Sequence, residues 1–197
     1  MGAFPSKKSK EDPKNPINLK PEQLQQLEEW TGLKGKELIF DTETDTFDTL
    51  LLNKKIIGRR NLVFCVEDWN NEMFGGFITN QISDQCCTKI KMEEKSFMFN
   101  LESQGRLQGP MKFEIKSESE AYYRMSDSYD MLFHIGDLAI FDDSHGCRNS
   151  QVIENSDNFD YHGIESALRK KDMAYRYGQE KVEKTFKVTR TRVIQME

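Results

Sequence analysis

The chain has little of what marks a secreted, membrane-spanning or cofactor-dependent protein. Its 197 residues include only four cysteines, five prolines and three histidines. Cys65, Cys86, Cys87 and Cys147 form no Cys-x-x-Cys pair, which argues against a zinc knuckle or a disulfide framework and leaves reduced thiols as the expectation. No apolar run approaches the roughly 20 residues that a membrane-spanning helix requires. The N-terminus, Met1-Gly2-Ala3-Phe4-Pro5-Ser6-Lys7-Lys8, passes straight into charge without an apolar signal core, so the cytosol, or else the nucleus, is the expected compartment. Met1-Gly2 with Ser6 fits the minimal myristoylation pattern, but Pro5 is awkward there and a solvated tail is the plainer expectation. There is no glycine-rich phosphate loop. The formal net charge of −5 argues against a surface built mainly for phosphate backbones.

What is present fits one domain with a substantial core: 37% hydrophobic and 31% charged residues. Residues 1–20 hold Pro5, Pro13 and Pro16 among lysines and few large apolar groups, the composition of a disordered arm. Residues 21–197 then make up a single domain. A first helix is expected over about 21–31, opened by Pro21 and Glu22, carrying Leu24, Leu27 and Trp30 at helical spacing, and stopped by Gly32. A second is expected from Thr46 to Lys55, ahead of Gly58.

Two apolar runs, Leu62–Val66 and Met73–Ile78, flank the polar segment Glu67–Glu72 and predict a β-hairpin. Gly75-Gly76 lies inside the second run, where glycine weakens a strand unless a neighbour must come very close. We therefore expect a buried strand with Phe74 and at least one of Phe97 and Phe99 in the core. Further strands are expected at Ser96–Leu101, Met111–Ile115, Tyr122–Met125, Met131–Ile135, Leu138–Phe141 and Phe186–Ile194. Many short antiparallel strands with polar turns predict an α+β, mainly β fold: an antiparallel β-sandwich with short flanking helices. A short helix from about Ile164 to Arg169 is expected before the last strand.

The order of these segments resembles the TLDc domain of the oxidation resistance proteins. Phe74-Gly75-Gly76-Phe77 is similar to the family's early sheet, and Lys95-Ser96-Phe97-Met98-Phe99 to its Lys-Ser-Phe-Leu-Phe strand. Asp137-Leu138-Ala139-Ile140-Phe141-Asp142 is similar to its Asp-Leu-x-Ile-x-Asp strand, and Phe186–Gln195 to its terminal strand. The chain departs from the family where a glycine-rich run is reduced to Gly136 and where Arg192 or Gln195 stands in place of an acid. The resemblance implies a TLDc-like sandwich that binds another protein, acting in oxidative-stress resistance or regulating the vacuolar proton pump through its peripheral subunits.

No constellation specifies a reaction. Cys86-Cys87 is preceded by Asp84 and followed by Lys89 and Lys91, a mixed field that does little to lower a thiol pKa; a thiol-based redox enzyme is the weakest of three readings. Asp142-Asp143-Ser144-His145-Gly146-Cys147, with Asp157, Asp160 and His162 downstream, matches neither zinc nor calcium spacing and lacks the turn that frames a catalytic serine. No catalytic residue, metal or cofactor is assigned. Lys54-Lys55, Arg59-Arg60, Arg169-Lys170-Lys171 and Lys187 with Arg190 and Arg192 make a regulatory protein that binds nucleic acid the second reading. The preferred reading is a non-enzymatic protein-interaction module. Its expected binding surface comprises the polar loop from Asp142 to Asp160, led by Asp142 and Asp143, and the outward-pointing Arg190 and Arg192 of the last strand.

Overall fold

The computed structural model describes residues 16–84, 89–105, 107–116, 121–125, 131–136, 138–141, 150–152, 158–160 and 185–197. In chain order the elements are α1 (Pro21–Thr31), β1 (Gly35–Asp41), α2 (Thr49–Ile56), β2 (Leu62–Asp68), β3 (Met73–Ile78), β4 (Lys89–Lys91) and β5 (Phe97–Glu102). There follow β6 (Met111–Ile115), β7 (Tyr122–Met125), β8 (Met131–Ile135), β9 (Leu138–Phe141), β10 (Ser150–Val152), β11 (Phe159–Asp160), β12 (Thr185–Phe186) and β13 (Val188–Met196). They form a seven-stranded sheet in the order β1-β13-β2-β3-β5-β6-β11 and a six-stranded sheet in the order β12-β10-β9-β8-β7-β4. All pairings are antiparallel. The fold is a mainly β, α+β sandwich. Among the described residues no helix is long and apolar enough to cross a membrane.

Strand alternation sorts β2 onto two faces, because successive side chains point to opposite sides of a sheet. Leu62, Phe64 and Val66 enter the core shared with Tyr123, Phe133, Ile135 and Ile140 of the second sheet. Val63 and Cys65 turn to the outer face, where Phe77, Phe97, Phe99, Ile194 and Met196 meet α1. The seven-stranded sheet is therefore buried on both faces along its middle. Helix α1 opens on Pro21 and closes on Gly32 at φ 69, a left-handed turn that suits glycine. Its Trp30 ring lies 6.2 Å from those of Phe97 and Phe99.

Gly75 and Gly76 sit in β3 at the point of closest packing. A methyl group on Gly76 would lie 2.6 Å from Ile135 Cδ1 and 2.9 Å from Met98 Sδ, and one on Gly75 1.8 Å from the Phe64 carbonyl oxygen. Phe74, Phe97 and Phe99 are all buried.

Several boundaries differ from those the sequence predicts. Ile17 and Leu19 are 2% and 6% exposed and belong to the outer-face cluster, so an arm drawn to residue 20 is too long; two apolar side chains suffice to dock those residues. The second helix starts at Thr49, capped by the Asp48 carboxylate, which accepts hydrogen bonds from Leu50 and Leu51 N–H. Thr46 and Phe47 precede that cap. The last strand is two: Thr185–Phe186 pairs with β10 in one sheet and Val188–Met196 runs between β1 and β2 in the other. The chain thus changes sheets at Lys187. The helix expected from Ile164 to Arg169 lies outside the described residues.

Candidate interaction surface

The β2–β3 turn is built from the aspartate that ends β2. Asp68 Oδ1 accepts hydrogen bonds from the backbone N–H groups of Asn70 at 2.9 Å and Glu72 at 3.0 Å, an Asx-type turn that lets Asn71 adopt φ 60. The neighbouring strand braces the turn from the side. Trp69 N–H donates to the Lys187 carbonyl at 2.9 Å, and the Thr189 hydroxyl lies 3.2 Å from the Glu67 carbonyl and 3.1 Å from that of Asp68. The turn is held while its tryptophan is displayed: Trp69 is 55% exposed, with Lys187 Nζ 5.5 Å from the ring centroid.

Beside this turn lies a group of charges drawn from three strands. Arg190 Nε donates to Asp41 Oδ1 at 2.8 Å, its Nη2 donates to Oδ2, and its Nη1 pairs with Glu43. Arg192 Nη1 donates to Glu67 Oε1 at 2.6 Å, and its Nε lies 3.9 Å from Asp41 Oδ2. Burial pushes the Asp41 carboxyl up, but hydrogen bonds from Arg190 and the Glu43 backbone, with the charges of Arg190 and Arg192, outweigh it and hold the group below the usual range. Burial likewise opposes the Arg190 charge, yet Asp41, Glu43 and Glu67 raise its pKa further. The cluster is a brace across β1, β13 and β2.

This placement corrects the expectation that Arg190 and Arg192 point freely outward. Arg192 is 4% exposed and Arg190 half-buried. They do share a face, as alternation requires, but it is the face that carries α1 further along, and carboxylates from β1 and β2 meet them there. Asp142 and Asp143, with residues 144–149 and 153–157 of the expected polar loop, lie outside the described residues, while its Ser150–Val152 and Phe159–Asp160 are strands of the two sheets, so the structure does not bring Asp142 and Asp143 into this cluster. Sequence reasoning passed over Trp69. Its signal was a lone tryptophan between two turn-forming residues, Asp68 and Asn70.

The other chemistries find no framed site among the described residues. Cys65 is buried under α1, and desolvation pushes its thiol up to about 12 against the pull of Arg192, so it is a packed thiol rather than a nucleophile. Cys86, Cys87, His145 and Cys147 lie outside the described residues. Among the described residues no group of three or more His, Cys, Asp or Glu side chains is arranged to hold a metal ion. Two of the expected basic residues are paired: Lys55 with Asp45 at 2.6 Å and Arg59 with Glu37 at 2.9 Å. A cleft of about 1060 Å³ beside the end of α1, lined by Trp30, Phe77, Lys95, Lys112 and Glu114, mixes both signs of charge.

The profile of the TLDc domain matches residues 17–190. The chain belongs to the TLDc domain family. The matched span begins at the buried Ile17 and ends at Arg190, three residues into β13, so it takes in α1, the braced turn and every strand of the sandwich but the rest of β13. No curated protein matches the chain.

Proposed function

We propose that this TLDc domain is a protein-interaction module and that the β2–β3 turn is part of its contact surface. The observation that carries this reading is Trp69, a large amphipathic side chain left exposed on a turn whose backbone is fixed by Asp68, Lys187 and Thr189. Tryptophan is enriched among the few residues that dominate interface energetics, and a pre-ordered backbone lowers the entropic cost of binding. Arg190 of the bracing strand, opposite Glu67 in register and paired with Glu43, supplies charge near the turn. Leu50 at 51% and Ile57 at 41% exposure lie on α2 and just past its end and add apolar surface elsewhere. Family membership directs the finer reading: a role in oxidative-stress resistance or in regulating the vacuolar proton pump, with subunits of the pump's peripheral sector as the partner. The pairing of Lys55, Arg59, Arg190 and Arg192 with carboxylates disfavours a continuous track for nucleic acid.

The test is capture of purified peripheral-sector subunits by the full chain and by Trp69→Ala. Loss of about tenfold or more in affinity, with an unchanged melting temperature, is the expected result for a central aromatic contact. Equal capture by Trp69→Ala and Arg190→Gln would remove this surface from the interface.

A further inference from the structure

The outer face of the six-stranded sheet carries a row of basic groups that nothing described on it neutralises. Lys89 of β4 pairs in register with Arg124 of β7, and Arg124 with His134 of β8. Residues directly opposite on antiparallel strands point to the same side, with side chains about 5 Å apart at the Cβ atoms. That side is the outer one, because Ile90, Tyr123, Met125, Phe133 and Ile135 fill the inner core. Two cations and an imidazole thus stand in a line across three strands. Like charges placed directly opposite are unfavourable on a sheet.

The polar atoms of this row lack partners among the described residues. Both ring nitrogens of His134 and Nε of Arg124 are buried there without a hydrogen bond. Among the described residues no carboxylate forms an ion pair with Lys89 or Arg124. Tyr122 gives the row a rigid wall: His134 stacks on its ring at 4.5 Å and 13°, and Lys89 Nζ lies 4.4 Å from the ring centroid. Exposure is graded, from exposed Lys89 through half-buried Arg124 to His134 at 5%, so the row has an open end and a dry floor. Burial first, then the charges of Arg124 and Lys89, push the imidazole down to about 4. A neutral imidazole still offers one N–H donor, beside the five of a guanidinium and the three of an ammonium.

We propose that Lys89, Arg124 and His134 form a binding site for a phosphate-type oxyanion on the outer face of the six-stranded sheet. A dianion offsets the two cations, and its tetrahedral oxygens accept from donors that converge from three strands, whereas a planar carboxylate satisfies one fork. The site is separate from the Trp69 surface, and the two readings stand or fall independently.

Calorimetric titration of the full chain with inorganic phosphate, at ionic strength held constant with chloride, tests the site. Saturable binding is expected, weakened about tenfold by Arg124→Gln or Lys89→Gln, since a charge-assisted hydrogen bond is lost, and unaltered by Lys36→Gln on the other sheet. Lys89 is exposed, so its variant keeps the fold even if Arg124→Gln does not. The His134 ring resonances should shift with phosphate and titrate at higher pH when it is bound. A peptide bearing phosphoserine among neutral residues separates the sources: tighter binding than inorganic phosphate assigns the site to a phosphorylated partner, and weaker binding assigns it to a small free anion. Absence of saturable binding by either probe, or equal affinities in wild type and Lys89→Gln, would overturn the proposal.

Discussion

Gly75 and Gly76 are adjacent in sequence yet meet different obstacles, and the difference can be measured. A side chain at Gly76 meets the flexible ends of Ile135 and Met98, while one at Gly75 meets the backbone carbonyl of Phe64. Side-chain tips can turn aside and a strand backbone cannot. Gly76→Ala should therefore cost about 1 to 3 kcal/mol, the range for overpacking, and Gly75→Ala more, read as successive drops in denaturation midpoint; a milder effect at Gly75 would refute the close approach to the strand. Arg192 gives the second prediction at this scale. Its removal leaves the partly exposed Glu67 without its cation while Asp41 keeps Arg190, so Arg192→Met should destabilise by about 1 to 3 kcal/mol in chemical denaturation, whereas an exposed arginine would change little. The close approach at the glycines was legible from the sequence because two glycines inside an apolar run weaken a strand unless a neighbour needs the space. The fate of Arg192 was not: its partner Glu67 lies 125 positions away, and alternation shows that a residue leaves the inner core but not what covers the opposite face.

Elements with strong alternation or apolar runs were legible, and those decided by distant pairing were not. The hairpin of β2 and β3 and the strands β6, β7, β8 and β9 coincide with apolar runs. Strands β4, β11 and β12 are three or two residues long, too short to show a period. Strand β1 is an edge whose pairing to β13 carries two irregularities, so its alternation is broken as well. The switch at Lys187 has no sequence signal because Phe186 and Val188 are both apolar, though their sheets differ. At the N-terminus the boundary is a matter of which side chains are covered. Removing residues 1–15 should leave the melting curve nearly unaltered, given their composition, whereas removing residues 1–20 also strips Ile17 and Leu19 from the outer-face cluster. Burial of an aliphatic side chain contributes about 1.5 to 3 kcal/mol, so the longer deletion should lower the melting temperature by several degrees. Equal curves for the two deletions would show that those two side chains add nothing.

At the scale of the whole molecule, the two sheets respond to acid over different ranges. Asp41, in the seven-stranded sheet, has its folded pKa lowered; its contribution is full above the unfolded carboxylate value of about 4 and is lost only as pH falls below that. His134, in the six-stranded sheet, has its folded pKa lowered from 6.5 to about 4. Between those values the unfolded chain takes up a proton that the folded one refuses, so stability is full above pH 6.5 and declines as pH falls toward 4. A shift of that size corresponds to about 3 kcal/mol. Denaturation curves recorded between about pH 7 and 4.5 should therefore show most of this decline, and His134→Gln should flatten it while leaving the later Asp41-dependent loss in place. Stability unchanged over that window in the wild type would mean that the imidazole protonates freely in the folded protein. A bound tetrahedral dianion enters the same balance, because an anion beside His134 favours the imidazolium and stabilises only the folded chain that holds the site together. In sulfate, which stays doubly charged over that window whereas phosphate gains a proton within it, the wild type should lose less stability than in chloride, and Lys89→Gln should remove much of that difference.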